Sequence, residues 1–187
     1  KSYHYSDTYK PVKKSCIFEH VYIARNDATL DDLNAYEFRI NCGAYLAKNE
    51  EVKADCVVPV PDSGWASAIG YANESGLQLS EGLVKNRYVG RTFIKPTQEE
   101  REIAVRIKLN PLVPAIKGKS IILVDDSIVR GTTSKQLIKS LKEAGAKEVH
   151  LRITSPPVKY PCYYGIDTPT RESLLASSHS VEEMREY

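Results

Sequence analysis

Hydrophobic and polar positions fall into short blocks whose period changes along the chain. Cys16 to Arg25, CIFEHVYIAR, alternates apolar with polar side chains and is rich in β-branched and aromatic residues, which predicts a strand. Asp31 and Asp32 open an expected helix to about Asn49, with Leu33, Tyr36, Ile40, Ala44 and Ala47 on its apolar face. Asp55 to Val60 reads as a short apolar strand ended by Pro59 and Pro61. A helix from Trp65 to Glu74 follows, stopped at Gly76, and Leu77 to Leu79 begins another strand. Ile121 to Val124 is an apolar run bounded by charge, the pattern of a strand buried on both faces. Ser134 to Ala144 predicts a helix with Leu137, Ile138, Leu141 and Ala144 inward and Gly145 as its C-cap, and Glu148 to Ser155 a further strand. Strands alternating with helices give an α/β class with a mostly parallel sheet flanked by helices.

One stretch breaks this order. Residues 83–117 carry Lys85, Arg87, Arg91, Lys95, Arg101, Arg106 and Lys108 against Glu99, Glu100 and Glu102. So long a connection is unusual inside a compact domain and often functional, so a long flexible basic loop is expected. Glu99 to Leu109 within it is a candidate helix.

Composition narrows the class. A chain of 187 residues holds one or at most two domains, and 42% hydrophobic with 27% charged residues is ordinary for a globular protein. No apolar run approaches the ~20 residues of a membrane span, so no membrane partner is expected. A net charge of +2 carries no global signature of nucleic-acid binding. Four cysteines are too few for a disulfide scaffold, which favours a reducing, cytoplasmic setting. Residue 1 is Lys, and the chain stops inside an apparent helix, HSVEEMREY, so a fragment of a longer protein is expected. There is no internal repeat.

The strongest chemical signal is ILVDDSIVRGTTSKQLI, residues 122–138. A buried strand ends in two carboxylates, Asp125 and Asp126. Ser127 and Arg130 lead into a tight turn at Gly131, and the hydroxyls of Thr132 and Thr133 stand at a helix start. Ligands of open parallel sheets bind beyond the carboxyl ends of the strands. A helix N-terminus offers unpaired N–H groups and partial positive charge to a phosphate. The carboxylates would repel that phosphate unless they accept hydrogen bonds from sugar hydroxyls or face a divalent cation shared with the substrate. A phosphorylated sugar satisfies both. Neither G-x-x-x-x-G-K-[ST] nor G-x-G-x-x-G occurs. A second turn, Asp62-Ser63-Gly64, joins a strand to a helix and offers another backbone nest for an anion. On its own it is also compatible with Ser63 capping the helix.

ILVDDSIVRGTTS resembles the phosphoribosyl pyrophosphate (PRPP) motif of type I phosphoribosyltransferases. VPVPDSG at 58–64, GLVKNRYVGRTFI at 82–94, EAGAKEVH at 143–150 and YGIDTPT at 164–170 extend the likeness to the glutamine PRPP amidotransferase family, from Cys16 to the end. KNRYVGRTF is the most specific stretch, because salvage enzymes share the PRPP motif.

That resemblance implies a type I phosphoribosyltransferase-like domain over 1–187, with an upstream glutaminase domain and a downstream segment outside this chain. It implies that ammonia, from glutamine in the full protein, displaces pyrophosphate at C1 of PRPP in the first step of purine synthesis. Asp125, Asp126, Ser127, Arg130, Gly131, Thr132 and Thr133 would bind ribose and phosphate, and Asp62, Ser63 and Gly64 pyrophosphate. Mg²⁺ would lie near Ser63, Asp125 and Asp126. Lys85, Arg87 and Tyr88, in the loop that closes over PRPP, would carry the catalytic role of stabilising the leaving group. Purine nucleotides would inhibit by occupying the PRPP site and a neighbouring site near the basic loop, around Lys85, Arg87 and Ser63, and the full protein would be a homotetramer. Cys16 and Cys162 match two of the four ligands of the iron–sulfur cluster in the Bacillus-type class. Cys42 and Cys56 are expected to be buried apolar residues, and His20, His150 and His179 structural. Two alternatives stand beside this reading: a non-catalytic regulator sensing PRPP or purine nucleotide, and another type I phosphoribosyltransferase.

Overall fold

The computed structural model describes residues 12–86, 109–166, 168 and 170–187. Four parallel strands form the central sheet in the order β4-β3-β7-β8: β3 (Cys56–Pro59), β4 (Gln78–Leu79), β7 (Ser120–Asp125) and β8 (Glu148–Ile153). Two antiparallel hairpins stand apart: β1 (Thr29–Leu30) with β2 (Leu33–Asn34), and β5 (Leu83–Lys85) with β6 (Leu109–Pro111). The main helices are α1 (Ala35–Lys48), α2 (Trp65–Ser75) and α4 (Thr132–Glu143). Shorter ones are α3 (Val113–Ile116), α5 (Leu175–Ser178) and α6 (Val181–Glu186). Among the described residues no helix is long and apolar enough to cross a membrane.

The period-2 geometry of a strand divides the apolar run of β7 between two cores. Ile121 and Leu123 face one side with Cys56, Val58, Leu137 and Leu141, so α4 covers that face. Ile122 and Val124 face the other with Val57, Ala68, Tyr71 and Ala72, beneath α2. Every residue of β7 is buried, which is why its sequence does not alternate. Arg152 of β8 joins the second face through an ion pair with Glu50, and Glu50 also accepts from Tyr71 Oη at 3.0 Å. Burial opposes the Glu50 charge. The Arg152 hydrogen bond and the Val52 N–H outweigh it and hold that carboxyl down to about 2.

Three expectations change on contact with the structure. Cys16 to Arg25 is not a strand: Glu19–Ile23 is a single π-helical turn, closed by Ala24 N–H donating to Glu19 O at 2.8 Å. Its buried residues, His20 and Val21, are consecutive. The buried Arg39 guanidinium donates to His20 O and Ala24 O, both at 2.8 Å, and this tertiary anchoring overrides the β propensity. Asp31 and Asp32 do not open the helix. They form a hairpin turn with φ of 54° and 62°, and Asn34 caps α1 by accepting from Tyr36 N–H and Glu37 N–H. The buried stripe of α1 runs through Ala35, Arg39 and Gly43, while Tyr36 is exposed. Of the candidate helix Glu99 to Leu109, only Leu109 lies within the described residues, and it belongs to β6. The expected strand at 55–60, the helix at 65–74 and the pair 121–124 and 134–144 match within one or two residues at most ends.

The stripe shifted because α1 and α2 cross at backbone contact. A Cβ on Gly43 would strike the Ser67 carbonyl, and one on Gly70 the Ile40 carbonyl. Neither neighbour is a side chain that can swing away. Gly70→Ala is therefore expected to destabilise the chain by about 2–3 kcal/mol, read as a lower urea midpoint at unchanged slope.

Candidate functional site

The register Pro59↔Val124 and Asp125↔Ile153 brings the C-terminal ends of β3, β7 and β8 to one rim. Two strand-to-helix loops leave it side by side. Residues 60–64 run from β3 into α2, and residues 126–131 from β7 into α4. Val60 N–H donates to Val124 O at 2.9 Å, extending the ladder past the sheet. A Cβ on Gly64 would collide with that same Val124 carbonyl, so only glycine lets the first loop lie this close to the second.

Asp125 ends β7 and Asp126 follows it, 8% and 6% exposed. Asp126 N–H donates to Asp125 Oδ1 at 2.9 Å, and Ser127 Oγ donates to Asp126. Burial first, and the neighbouring Asp126 charge second, push the Asp125 carboxyl well above the usual carboxylate range; the Asp126 N–H and the Ser63 hydroxyl pull the other way. Ser63 does not cap α2; Gly64 occupies the cap position without a side-chain bond. Three bonds from the end of β8 fix the acidic pair from behind. Thr154 N–H donates to Asp125 O at 3.2 Å, Ser155 N–H to Asp126 O at 2.8 Å, and Thr154 Oγ1 to Asp126 O at 3.3 Å.

Both helices that start at this rim lack side-chain caps and carry no acid in their first turn. α4 begins at Gly131, whose φ of 78° is left-handed. Among the described residues the other helices of six residues or more are capped, α1 by Asn34 and α6 by a Ser180–Glu183 capping box. Unpaired N–H groups and positive dipole ends are thus gathered on the two flanks of the carboxylates.

Lys85, at the end of β5, forms an ion pair with Asp62, so the stem of the basic loop reaches the first anion turn. Arg130 and Thr133 are exposed, and Ser127 and Thr132 half-buried, around the second. Arg87 and Tyr88 lie outside the described residues, as does the rest of the expected closing loop through 108. Cys16 is exposed and Cys162 half-buried. N–H groups of Ile166, Tyr164 and Gly165 hold the Cys162 thiol below its ordinary range. Cys56 is buried and Cys42 half-buried on α1. Among the described residues no group of three or more His, Cys, Asp or Glu gathers as a metal site.

Thr154 and Ser155 were missed by reading motifs alone. Their signal is topological, because the strand beside β7 must deliver its own end to the same rim. No motif marks Arg39 either, although it is buried at 7% exposure.

The family model for the phosphoribosyl transferase domain matches residues 28–154. The amidophosphoribosyltransferase of Methanothermobacter thermautotrophicus is 54% identical over 185 residues, which are 99% of this chain and 39% of that protein. Its counterpart from Bacillus subtilis is 53% identical, over 91% of this chain and 36% of that one. A solved structure, glutamine PRPP amidotransferase from B. subtilis complexed with ADP and GMP, superposes with a TM-score of 0.81 at 53% identity; the match covers 91% of this chain and 38% of that one. The chain thus spans about two fifths of the length of such relatives.

The folded state holds the Asp125 proton more tightly than the unfolded chain does. Its stabilising contribution is complete below about pH 4 and is lost as pH rises toward about 8. The expected outcome is a lower melting temperature at about pH 9 than at about pH 6, with most of the difference removed in Asp125→Asn. Parallel profiles for the two proteins would contradict it.

Proposed function

Because the chain belongs to the phosphoribosyl transferase domain family, we propose that it is the PRPP-binding domain of an amidophosphoribosyltransferase. The reaction is displacement of pyrophosphate from C1 of PRPP by ammonia. The C1–N bond forms, the C1–O bond breaks with its electron pair leaving on pyrophosphate, and 5-phosphoribosylamine loses the surplus proton to solvent. This is the first step of purine synthesis in the resembled family. The observation that carries the reading is the shared rim: two uncapped helix starts on either side of a buried carboxylate pair, their loops held together by the Val60 N–H bond to Val124 O and by Gly64 packed on that same carbonyl.

The residues divide the substrate between them. Arg130, Gly131, Thr132 and Thr133 take the 5-phosphate at the start of α4. Asp125, Asp126 and Ser127 take the ribose hydroxyls, whose protons the carboxylates accept. Asp62, Ser63 and Gly64 take pyrophosphate at the start of α2. Lys85 with Arg87 and Tyr88 shields the leaving pyrophosphate from water and offsets its charge. The transition state resembles an oxocarbenium ion, so positioning between fixed anion sites does most of the work and no nucleophilic side chain is required.

Hard oxygen donors at Ser63, Asp125 and Asp126 suit Mg²⁺, which prefers one or two carboxylates and substrate phosphates. Bound there, the ion would neutralise charge on the leaving group. Cys16 and Cys162 suit two of four ligands of an iron–sulfur cluster, and the lowered Cys162 thiol agrees with a thiolate role. Cys42 and Cys56 do not complete that set, so a downstream pair of cysteines would. We read residues 1–187 as one domain of a longer chain whose glutaminase part lies upstream. A homotetramer, purine-nucleotide inhibition and a cytoplasmic setting complete the proposal, the last supported by four free cysteines.

This chain is expected to release pyrophosphate from PRPP when an ammonium salt supplies ammonia as the nucleophile, and to release no glutamate from glutamine. Asp125→Asn with Asp126→Asn should lower that turnover at least about 100-fold while the circular-dichroism spectrum and cooperative melting persist. Near-normal pyrophosphate release by the double variant would remove these residues from the site.

A further inference from the structure

The phosphate loop is shaped from outside, by a segment that no motif marks. Leu175 N–H donates to Val129 O at 2.9 Å, in the middle of the loop between the acidic pair and α4. Leu174, Leu175 and Ala176 are buried, at 1%, 7% and 4% exposure. A Cβ on Gly131 would lie 2.9 Å from Leu175 Cδ2 and 3.3 Å from Tyr187 Cε1, so these two side chains form a wall against the loop's left-handed residue. The Tyr187 ring holds the Lys135 ammonium 4.3 Å from its centroid and meets the His179 ring edge-on at 5.9 Å. The helix that presents Tyr187 has its own device, the Ser180–Glu183 capping box. Tyr187 N–H closes its last turn on Glu183 O at 3.1 Å.

These contacts act on one object. Gly131 is the N-cap of α4, and its φ of 78° sets where the first-turn N–H groups point. A residue that walls Gly131 and a bond that fixes Val129 therefore set the aim of the anion-binding N–H groups. Lys135 lies one turn into the same helix, and its N–H donates to Gly131 O at 3.0 Å. By holding that ammonium, Tyr187 keeps a cation beside the helix start, where it adds to the dipole.

We propose that the segment Leu174–Tyr187 is a buttress of the phosphate loop, with Leu175 and Tyr187 as positioning residues for the phosphate end of the substrate and no part in the pyrophosphate end. The inference rests on the reading of this rim as a PRPP site. It separates the two anion turns energetically, because Leu175 and Tyr187 contact the loop that leads into α4, whereas the Asp62–Gly64 turn is built on β3 and α2.

The test is calorimetry on the intact protein with two probes, ribose 5-phosphate and magnesium pyrophosphate. Tyr187→Ala is expected to weaken ribose 5-phosphate about tenfold and leave magnesium pyrophosphate within about twofold. Tyr187→Phe restores the first affinity, since the ring and its hold on Lys135 remain. In steady state the KM for PRPP rises while kcat at saturation holds. Leu175→Ala gives the same split should Tyr187→Ala fail to fold. Unchanged ribose 5-phosphate affinity in Tyr187→Ala, or equal loss of both probes, overturns the buttress alone. Failure of the unsubstituted protein to bind either probe overturns the PRPP reading and the buttress with it.

Discussion

Two adjacent carboxylates buried at the end of the central strand are the constraint around which the rest is arranged. Asp125 and Asp126 repel one another, and both have lost most of their water. The fold tolerates this because β7 is held on both edges, by β3 and β8, and covered on both faces by separate apolar clusters. A strand so fixed cannot relax to bring its terminal acids into solvent. The bonds from Thr154 and Ser155 then fix the carbonyls of the pair, and Ser127 supplies a hydroxyl to an Asp126 oxygen. The charge of Asp126 is also felt by the nearly buried Arg39 on α1, where burial lowers the guanidinium pKa and Asp126 opposes that lowering.

Capping follows the same logic. A helix start left without a cap carries unsatisfied N–H groups, a cost that capping α1 and α6 avoids. α2 and α4 forgo it at the rim where the acidic pair sits, both starting from glycine. Propensity offers no reason for this, since serine and threonine stand next to both glycines in the sequence. A ligand with anionic ends supplies the missing acceptors and so recovers the cost on binding. The same site in the free protein is thereby held in a state that favours such a ligand over water.

Local chemistry made the central part of this design legible in the sequence. A continuous apolar run, two acids and a glycine before two threonines admit few placements, and β7, the rim and α4 lie where those residues require. The N-terminal part was opaque for a physical reason. CIFEHVYIAR has the composition of a strand, but the Arg39 fork draws its carbonyls into a helical turn, and no local signal records a partner 15 to 19 residues away. The shifted stripe of α1 has a similar origin, because Gly43 and Gly70 are read as weak helix formers until the two backbones are seen to touch. Leu175 and Tyr187 carry no local signal because their role depends on the shape of a loop 44 and 56 positions earlier.

Lys85 shows how this rim can serve a ligand that arrives and leaves. It pairs with Asp62, whose side chain is 69% exposed. A pair in that setting contributes only about 0–1 kcal/mol, because water and salt compete with it. A diphosphate at the neighbouring N–H nest carries more charge than one carboxylate and sits closer to helix dipole ends. Exchange of Lys85 from Asp62 to such a group is therefore inexpensive, and the Asp62 carboxylate it leaves behind is already solvated. The buried acids of β7 have no such freedom. The rim thus combines a fixed acidic floor, whose geometry cannot drift, with a cation at the end of β5 whose present partner is solvated and easily exchanged.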